Sequence, residues 1–308
     1  MTILVGYTGF VGSNIYACGK QYIDKVYNSK NIEEAYNTNP DLLIYSGMRA
    51  EKFLANTDPV ADMKLVYQAE ENIKKINPKQ LVLISTIDVF KEPNGKDEDS
   101  KIDTTNLHAY GLNRYCLERW VRDNFPNALI IRLPGLYGKN IKKNFLFDYI
   151  NVIPNMLRKE KFEELCTVDK DIRSFYSRQS NGFYKCRDLE YDEKNILKNK
   201  FKKLGFTALN FTDSRNVYQF YPLSRLWKDM QVALKEGLRI WHPATEPVSA
   251  REVYTFLTDE EFANEILDIP VRYDYRTKYA SLFGGTQGYL MNKTQILEDI
   301  KNFVGEFQ

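Results

Sequence analysis

Three glycines at a spacing of three, Gly6, Gly9 and Gly12, follow directly on the apolar run Ile3 to Val5 and precede residues that can start a helix. Where a strand turns into a helix, each can do a separate job. Gly6 permits the tight turn, Gly9 lets the backbone approach a pyrophosphate, and Gly12 lets the helix pack closely on the sheet. The helix N-terminus then presents free N–H groups and the positive end of its dipole to the anion. Thr8, Phe10 and Val11 complete the turn and join the glycines as candidate nucleotide-binding residues. The same pattern also fits a strand–turn–helix that binds nothing.

A second group could move a proton. Ser85 and Thr86 end the run Gln80 to Ile84, and Tyr110 and Arg114 stand four apart, on one face of a helical segment opening at Ala109. A phenol ionises near about pH 10, so it serves as an acid or base at neutrality only beside a fixed cation. Arg114 supplies a charge, as a planar fork rather than a compact ammonium. Without the glycine turn, the two residues read as an ordinary surface pair.

These groups need a sheet to hold them. Lys25-Val26-Tyr27 is a weak second strand, and the turn after it, Asn28-Ser29-Lys30, lacks the acidic residue that would take the adenosine ribose hydroxyls. Ser29 and Lys30 are candidates for a 2′-phosphate instead, although a loop lysine in solvent is the plainer reading. Asn31 can cap a helix over Ile32 to Asn37. Leu42 to Tyr45 reads as a buried strand ending at Ser46-Gly47, and a long helical pattern spans Pro59 to Ile76. Gln80 to Ile84 is the clearest strand, the helix from Ala109 runs to about Asn124, and Ala128 to Arg132 leads into the loop Leu133-Pro134 through Gly138. Strands alternating with helices predict a parallel sheet covered on both faces, with its ligand at the carboxyl edge.

The rhythm changes after Ile153. Residues 155–216 are rich in charge and aromatics and read as an insertion covering the site rather than a separate folding unit. A helix is expected over Leu223 to Lys235, a returning strand at Arg239 to Trp241, a capped helix from Ser249 with Glu252 closing a capping box, and a final helix from Lys293 to Val304.

Composition narrows the classes. With 43 basic and 41 acidic residues among 308, the formal charge of +2 offers no case for nucleic acid. The four cysteines are scattered without a Cys-x-x-Cys pair, so neither a zinc site nor a disulfide framework is expected, and a cytoplasmic setting is the default. No apolar run reaches membrane-spanning length and no signal peptide is expected.

The glycine turn, Ser85-Thr86 at a strand end, and Tyr110 four residues before a basic residue together resemble the extended short-chain dehydrogenase/reductases, the NAD-dependent epimerase/dehydratase superfamily. The segment Ile84-Ser85-Thr86-Ile87-Asp88-Val89-Phe90 is most similar to the dTDP-4-dehydrorhamnose reductase branch, and Arg132 through Gly138, with Asn144-Phe145, to the loop beside the nicotinamide. The resemblance implies a doubly wound α/β Rossmann domain over residues 1–154, completed by about 217–245, with residues 155–216 and 246–308 covering the substrate. It implies NADP or NAD as cofactor and a nucleotide-activated sugar as substrate, reduced or epimerised in polysaccharide biosynthesis, with a homodimer as the candidate assembly. Tyr110 would exchange the proton, Thr86 would position the same oxygen, and Arg114, where the family has lysine, would hold the nicotinamide ribose and favour the tyrosinate. Ser46, Gly47, Ser85, Leu133 and Pro134 join the cofactor-binding set. Ile87-Asp88 lacks the Asp-Glu pair of the family's dehydratases, which argues against dehydration. Of the two histidines, His108 lies near Tyr110 in sequence and His242 has no evident partner. Arg158, Arg173 and Arg178 are candidates for a sugar-nucleotide diphosphate. A nucleotide-binding regulator or structural subunit retaining the fold is the alternative.

Overall fold

In the computed structural model, which describes residues 1–307, the apolar runs become one parallel sheet. Its strands are β1 (Thr2–Val5), β2 (Lys25–Tyr27), β3 (Leu42–Tyr45), β4 (Gln80–Thr86) and β5 (Leu129–Leu133), with the short edge strand Ile240–Trp241. The order is β2-β1-β3-β4-β5 and then that edge strand, and every pairing is parallel. Ile3 lies opposite Leu43, Leu43 opposite Leu81, and Leu83 opposite Ile130.

That register, with the two-residue period of a strand, divides the apolar side chains between two faces. Ile3, Val5, Leu43, Leu81, Leu83 and Ile130 pack with the buried stripes of α3 (Pro59–Ile76) and α4 (Ala109–Asn124). Leu4, Ile44 and Val82, one residue out of phase, are fully buried on the other face. There α1 (Phe10–Gly19) meets the helix Leu226–Lys235, where a Cβ at Gly19 would lie 2.4 Å from the Trp227 ring. Each large apolar side chain buried this way stabilises the fold by about 1.5–3 kcal/mol.

Local chemistry sets the helix ends. Asp58 accepts a hydrogen bond from the Ala61 N–H while Pro59 opens α3, and Asn77, at a φ of +54°, closes it. Ser249 and Glu252 form the expected capping box at the start of the helix Ala250–Thr258. One local expectation changes, and one helix appears that the sequence reading does not contain. The helix placed over Ile32 to Asn37 is only a 3-10 turn, Ile32–Ala35. A short helix, α2 (Lys52–Thr57), precedes α3. It escapes sequence reading because its apolar residues Phe53 and Leu54 face solvent and leave no buried stripe.

The chain forms two compact units. The first comprises Met1–Ile141, Val217–Val248 and Arg272–Ile300, and it also contains β6 (Gly135–Tyr137), paired in parallel with Phe220–Pro222. The second comprises Lys142–Asn216, Ser249–Val271 and the chain from Lys301. The division therefore falls at Ile141 rather than at residue 154, and Arg272–Ile300 sides with the sheet. In the second unit β7 (Met156–Leu157), β8 (Tyr176–Arg178) and β9 (Tyr184–Cys186) form an antiparallel sheet in the order β7-β9-β8, beside α5 (Phe145–Asn151), α6 (Lys159–Val168) and α7 (Tyr191–Lys203). Leu157, Phe162, Ile172, Leu197 and Phe201 are buried together there. Residues 155–216, read from the sequence as an insertion rather than a separate folding unit, therefore belong to a second compact unit with its own buried cluster. No helix among the described residues is long and apolar enough to cross a membrane.

Candidate functional site

The strand order reverses between β1 and β3, and in an open α/β sheet such a reversal leaves a crevice at the carboxyl ends. The glycine turn sits there. Gly6 has a φ of +88°, and a Cβ on it would fall 2.3 Å from the Ser46 carbonyl oxygen. Gly12 is equally constrained, since its Cβ would lie 2.1 Å from the Gly6 carbonyl oxygen. Gly9 differs: its Cβ would meet only that oxygen, at 3.3 Å. The fold therefore has no space for a Cβ at Gly6 or Gly12, whereas at Gly9 the one close approach, to a backbone oxygen, asks for a shift of only a few tenths of an ångström. Gly9 is also the N-cap of α1 and no side chain caps it, so the first-turn N–H groups of Phe10, Val11 and Gly12 have no carbonyl four residues back within the helix. Thr8 and Gly9 are exposed. These features fit a dinucleotide's pyrophosphate.

The surrounding candidates are laid out along the same edge. The Gly6 N–H donates to the Tyr27 carbonyl at 2.7 Å and the Ser46 N–H to the Val5 carbonyl at 2.9 Å, tying the ends of β2 and β3 to β1. Beyond β2, Asn28 accepts from the Lys30 N–H and Asn31 accepts from the Asn28 N–H, which shapes a turn with Ser29 and Lys30 exposed. Gly47 is exposed, Leu133 is buried at the end of β5, and Pro134 is half-buried.

Thr86 ends β4 and Tyr110 occupies the first turn of α4. The two strand–helix ends meet because Gly111 has no side chain: a Cβ there would lie 2.1 Å from the Asp88 carbonyl oxygen. The Thr86 side chain lies beside the Tyr110 phenol, and its hydroxyl oxygen accepts from the Asp88 N–H at 3.2 Å. Burial pushes the Tyr110 phenol above its ordinary range, the Arg114 charge and the Thr86 side chain pull it back, and Asp88 and Asp62 add to the rise. His108 caps α4, its Nδ1 accepting from the Gly111 N–H at 3.0 Å, and its ring lies 6.4 Å from that of Tyr110. Burial first, then the Lys52 charge, lowers its pKa. Asp88 accepts from Lys52 at 3.0 Å and from the Tyr273 hydroxyl at 3.4 Å.

Arg114 is where the structure departs from expectation. Its guanidinium carbon lies 4.7 Å from the centre of the Tyr110 ring, but its N–H groups close on Asp62 at 2.9 and 3.0 Å and on the Arg49 carbonyl at 2.7 Å. Arg114 and Asp62 are 4% and 7% exposed, so the fork is engaged inside the protein rather than presented to a nicotinamide ribose. Asp62 also accepts from Asn113 at 2.9 Å. Sequence reading overlooked Asp62, although a signal existed: it lies four residues before Val66, in phase with the apolar stripe of α3, where a charge must be paired.

Ser85 is engaged elsewhere too. Its hydroxyl donates to buried Glu118 at 2.5 Å, and Glu118 takes three hydrogen bonds from Arg132. Arg132 can only donate, so His242 Nε2, 3.2 Å away, is the acceptor and its proton rests on Nδ1, against the Arg276 carbonyl. Burial, helped by Arg132, depresses the His242 pKa to about 3. His242, without an evident partner in the sequence, thus belongs to a buried network under the sheet edge.

In the second unit Arg158, Arg173 and Arg178 are all exposed, with Arg173 over the Phe162 ring.

A family model described as the RmlD substrate binding domain matches residues 4–172. A search among curated proteins returned no match. Several solved structures share the fold at low identity. A dTDP-4-dehydrorhamnose reductase from Bacillus anthracis, in complex with NADP, aligns with a TM-score of 0.63 and 14% identity over 99% of this chain and 97% of that one. UDP-glucose 4-epimerase from Thermotoga maritima, with UDP-glucose, gives a TM-score of 0.65 and 14% identity over 100% and 98%. The Bordetella bronchiseptica enzyme WbmG, in complex with NAD and UDP, gives 0.65 and 14% over 99% and 94%.

Proposed function

The chain belongs to the RmlD substrate binding domain family, and from that premise we propose that it is an NAD(P)-dependent oxidoreductase or epimerase acting on a nucleotide-activated sugar. The observation that carries this reading is the uncapped, exposed N-terminus of α1 at Gly9, at the switch point of a doubly wound sheet. The first-turn N–H groups of α1 hold the pyrophosphate, and the turn Asn28–Lys30 receives the adenosine ribose. Without an acidic residue there, NADP(H) is expected to bind at least as well as NAD(H). The nicotinamide, when bound, supplies the hydride chemistry.

The rest falls to this chain's side chains. Thr86 fixes the substrate oxygen beside the Tyr110 hydroxyl, which holds or gives the proton at that oxygen. The neighbours solved with NADP, UDP-glucose, or NAD and UDP support this class of ligand. A second reading, a nucleotide-binding protein that has lost efficient turnover, draws on the Arg114 fork being closed on Asp62. Turnover separates the two. Purified protein incubated with NADPH and dTDP-4-dehydrorhamnose, or with NAD and UDP-glucose, should consume cofactor or interconvert the sugar, and Tyr110→Phe should lose nearly all of that. Tight cofactor binding with no turnover on either sugar nucleotide would favour the second reading.

A further inference from the structure

Tyr110 stands beside a cation whose charge is already answered. From α4 it faces Arg114, and from α3 the Asp62 carboxylate closes on that guanidinium through two hydrogen bonds, both partners buried. From the turn after β4 it faces Asp88, itself bound by Lys52 of α2 and reached by the Tyr273 hydroxyl. From the helix cap it faces His108, whose Nδ1 is committed to a backbone N–H. The one cation stacked on the phenol ring, Arg114, is paired, and an anion at hydrogen-bond distance from a cation offsets part of the field that the cation exerts on a neighbour.

We propose that Asp62 is a positioning residue that keeps Tyr110 a phenol by neutralising Arg114, making the site a proton donor suited to carbonyl reduction rather than epimerisation. This rests on the oxidoreductase reading above. In the reduction, the carbonyl carbon takes the hydride of a reduced nicotinamide dinucleotide and the π pair moves to oxygen. That oxygen takes the Tyr110 proton, the dinucleotide is left oxidised, and water reprotonates the phenolate. A phenol suffices for this, because the alkoxide forming at the carbonyl oxygen is the stronger base. Epimerisation through transient oxidation starts with the opposite transfer, from a sugar hydroxyl to a phenolate. Even an unperturbed phenol is only roughly one part in a thousand phenolate at neutrality, and burial moves Tyr110 further from ionising.

The test is a titration of the protein alone, so a failure of cofactor or sugar binding leaves it readable. Tyrosine labelled at Cζ reports ionisation by carbon NMR, with the Tyr110 resonance assigned by its loss in Tyr110→Phe. The wild-type resonance should stay that of a phenol through about pH 9. Asp62→Asn, which leaves Arg114 uncompensated, should lower the midpoint by about one pH unit or more. Because Asp62→Asn strains a buried pair, Asp62→Leu combined with Arg114→Met removes both charges at once. That double variant should move the midpoint by less than about half a unit. A wild-type midpoint below about pH 9 overturns the proposal. So does a folded Asp62→Asn protein with an unmoved midpoint, or a double variant whose midpoint rises by about a unit or more.

Discussion

Individual side chains here are tuned by what surrounds them more than by their own type. Asp148, on α5 of the second unit, illustrates this: burial alone pushes its carboxyl up to about 7. Its folded-state pKa is raised above the unfolded value, so the stability it contributes is complete below about pH 4 and is lost as pH rises toward about 7. Asp148→Asn should therefore stabilise the protein at about pH 8 and leave it unchanged near about pH 4. Urea unfolding at the two pH values reads this directly, and an equal effect at both would show that the carboxyl titrates normally. Sequence could not reveal Asp148, because desolvation depends on packing. Asp62 was legible, standing as a charge within the α3 stripe, and so was Arg132, a charge inside a strand whose every residue is buried. The sequence reading places Arg132 at the start of the loop beside the nicotinamide, whereas its fork is closed on buried Glu118, and it weighs the spacing between Tyr110 and Arg114 over Asp62, a spacing that says nothing of where the Arg114 fork is spent.

Among the elements, the β1–α1 turn was the most legible, because glycine is the only residue that answers its geometry. The three glycines are not equivalent, however. Gly12→Ala forces a methyl group to 2.1 Å from the Gly6 carbonyl oxygen and should cost about 1–3 kcal/mol, as overpacking does. Gly9→Ala meets only the Gly6 carbonyl oxygen, at 3.3 Å, and should cost less than Gly12→Ala, about 1 kcal/mol at most, through the poorer N-cap. If Gly9→Ala destabilises as much as Gly12→Ala, the open face of the turn is not open. Elsewhere, legibility followed the strength of the local signal. The Asp58-Pro59 start of α3 and the Ser249–Glu252 capping box are local chemistry and could be read. Helix α2 and the shortened Ile32–Ala35 turn carry no such signal.

For the molecule as a whole, the buried Ser85–Glu118–Arg132–His242 network ties folding to pH. The His242 pKa is depressed to about 3 in the fold, so the stability tied to its neutral form is complete above about pH 6.5 and falls as pH drops, by about 1.4 kcal/mol per unit for one proton. His242→Gln should lack that part of the acid slope between about pH 6 and pH 4. Equal slopes for the two proteins would move the origin of acid sensitivity elsewhere. The division into two units was only partly legible, since the core of the second unit is assembled from short elements, none with a strong period of its own. The central claim remains the nucleotide site. Thermal unfolding with and without NADPH or NADH tests it most directly. At a hundredfold excess over its dissociation constant a ligand that binds only the folded state adds about 2.7 kcal/mol, so wild type should unfold at a clearly higher temperature with cofactor. Gly9→Val should unfold at a somewhat lower temperature than wild type, because valine is a poor N-cap, and show no such gain with cofactor. A wild-type protein indifferent to both cofactors, or a Gly9→Val protein that gains as much as wild type, would contradict the account.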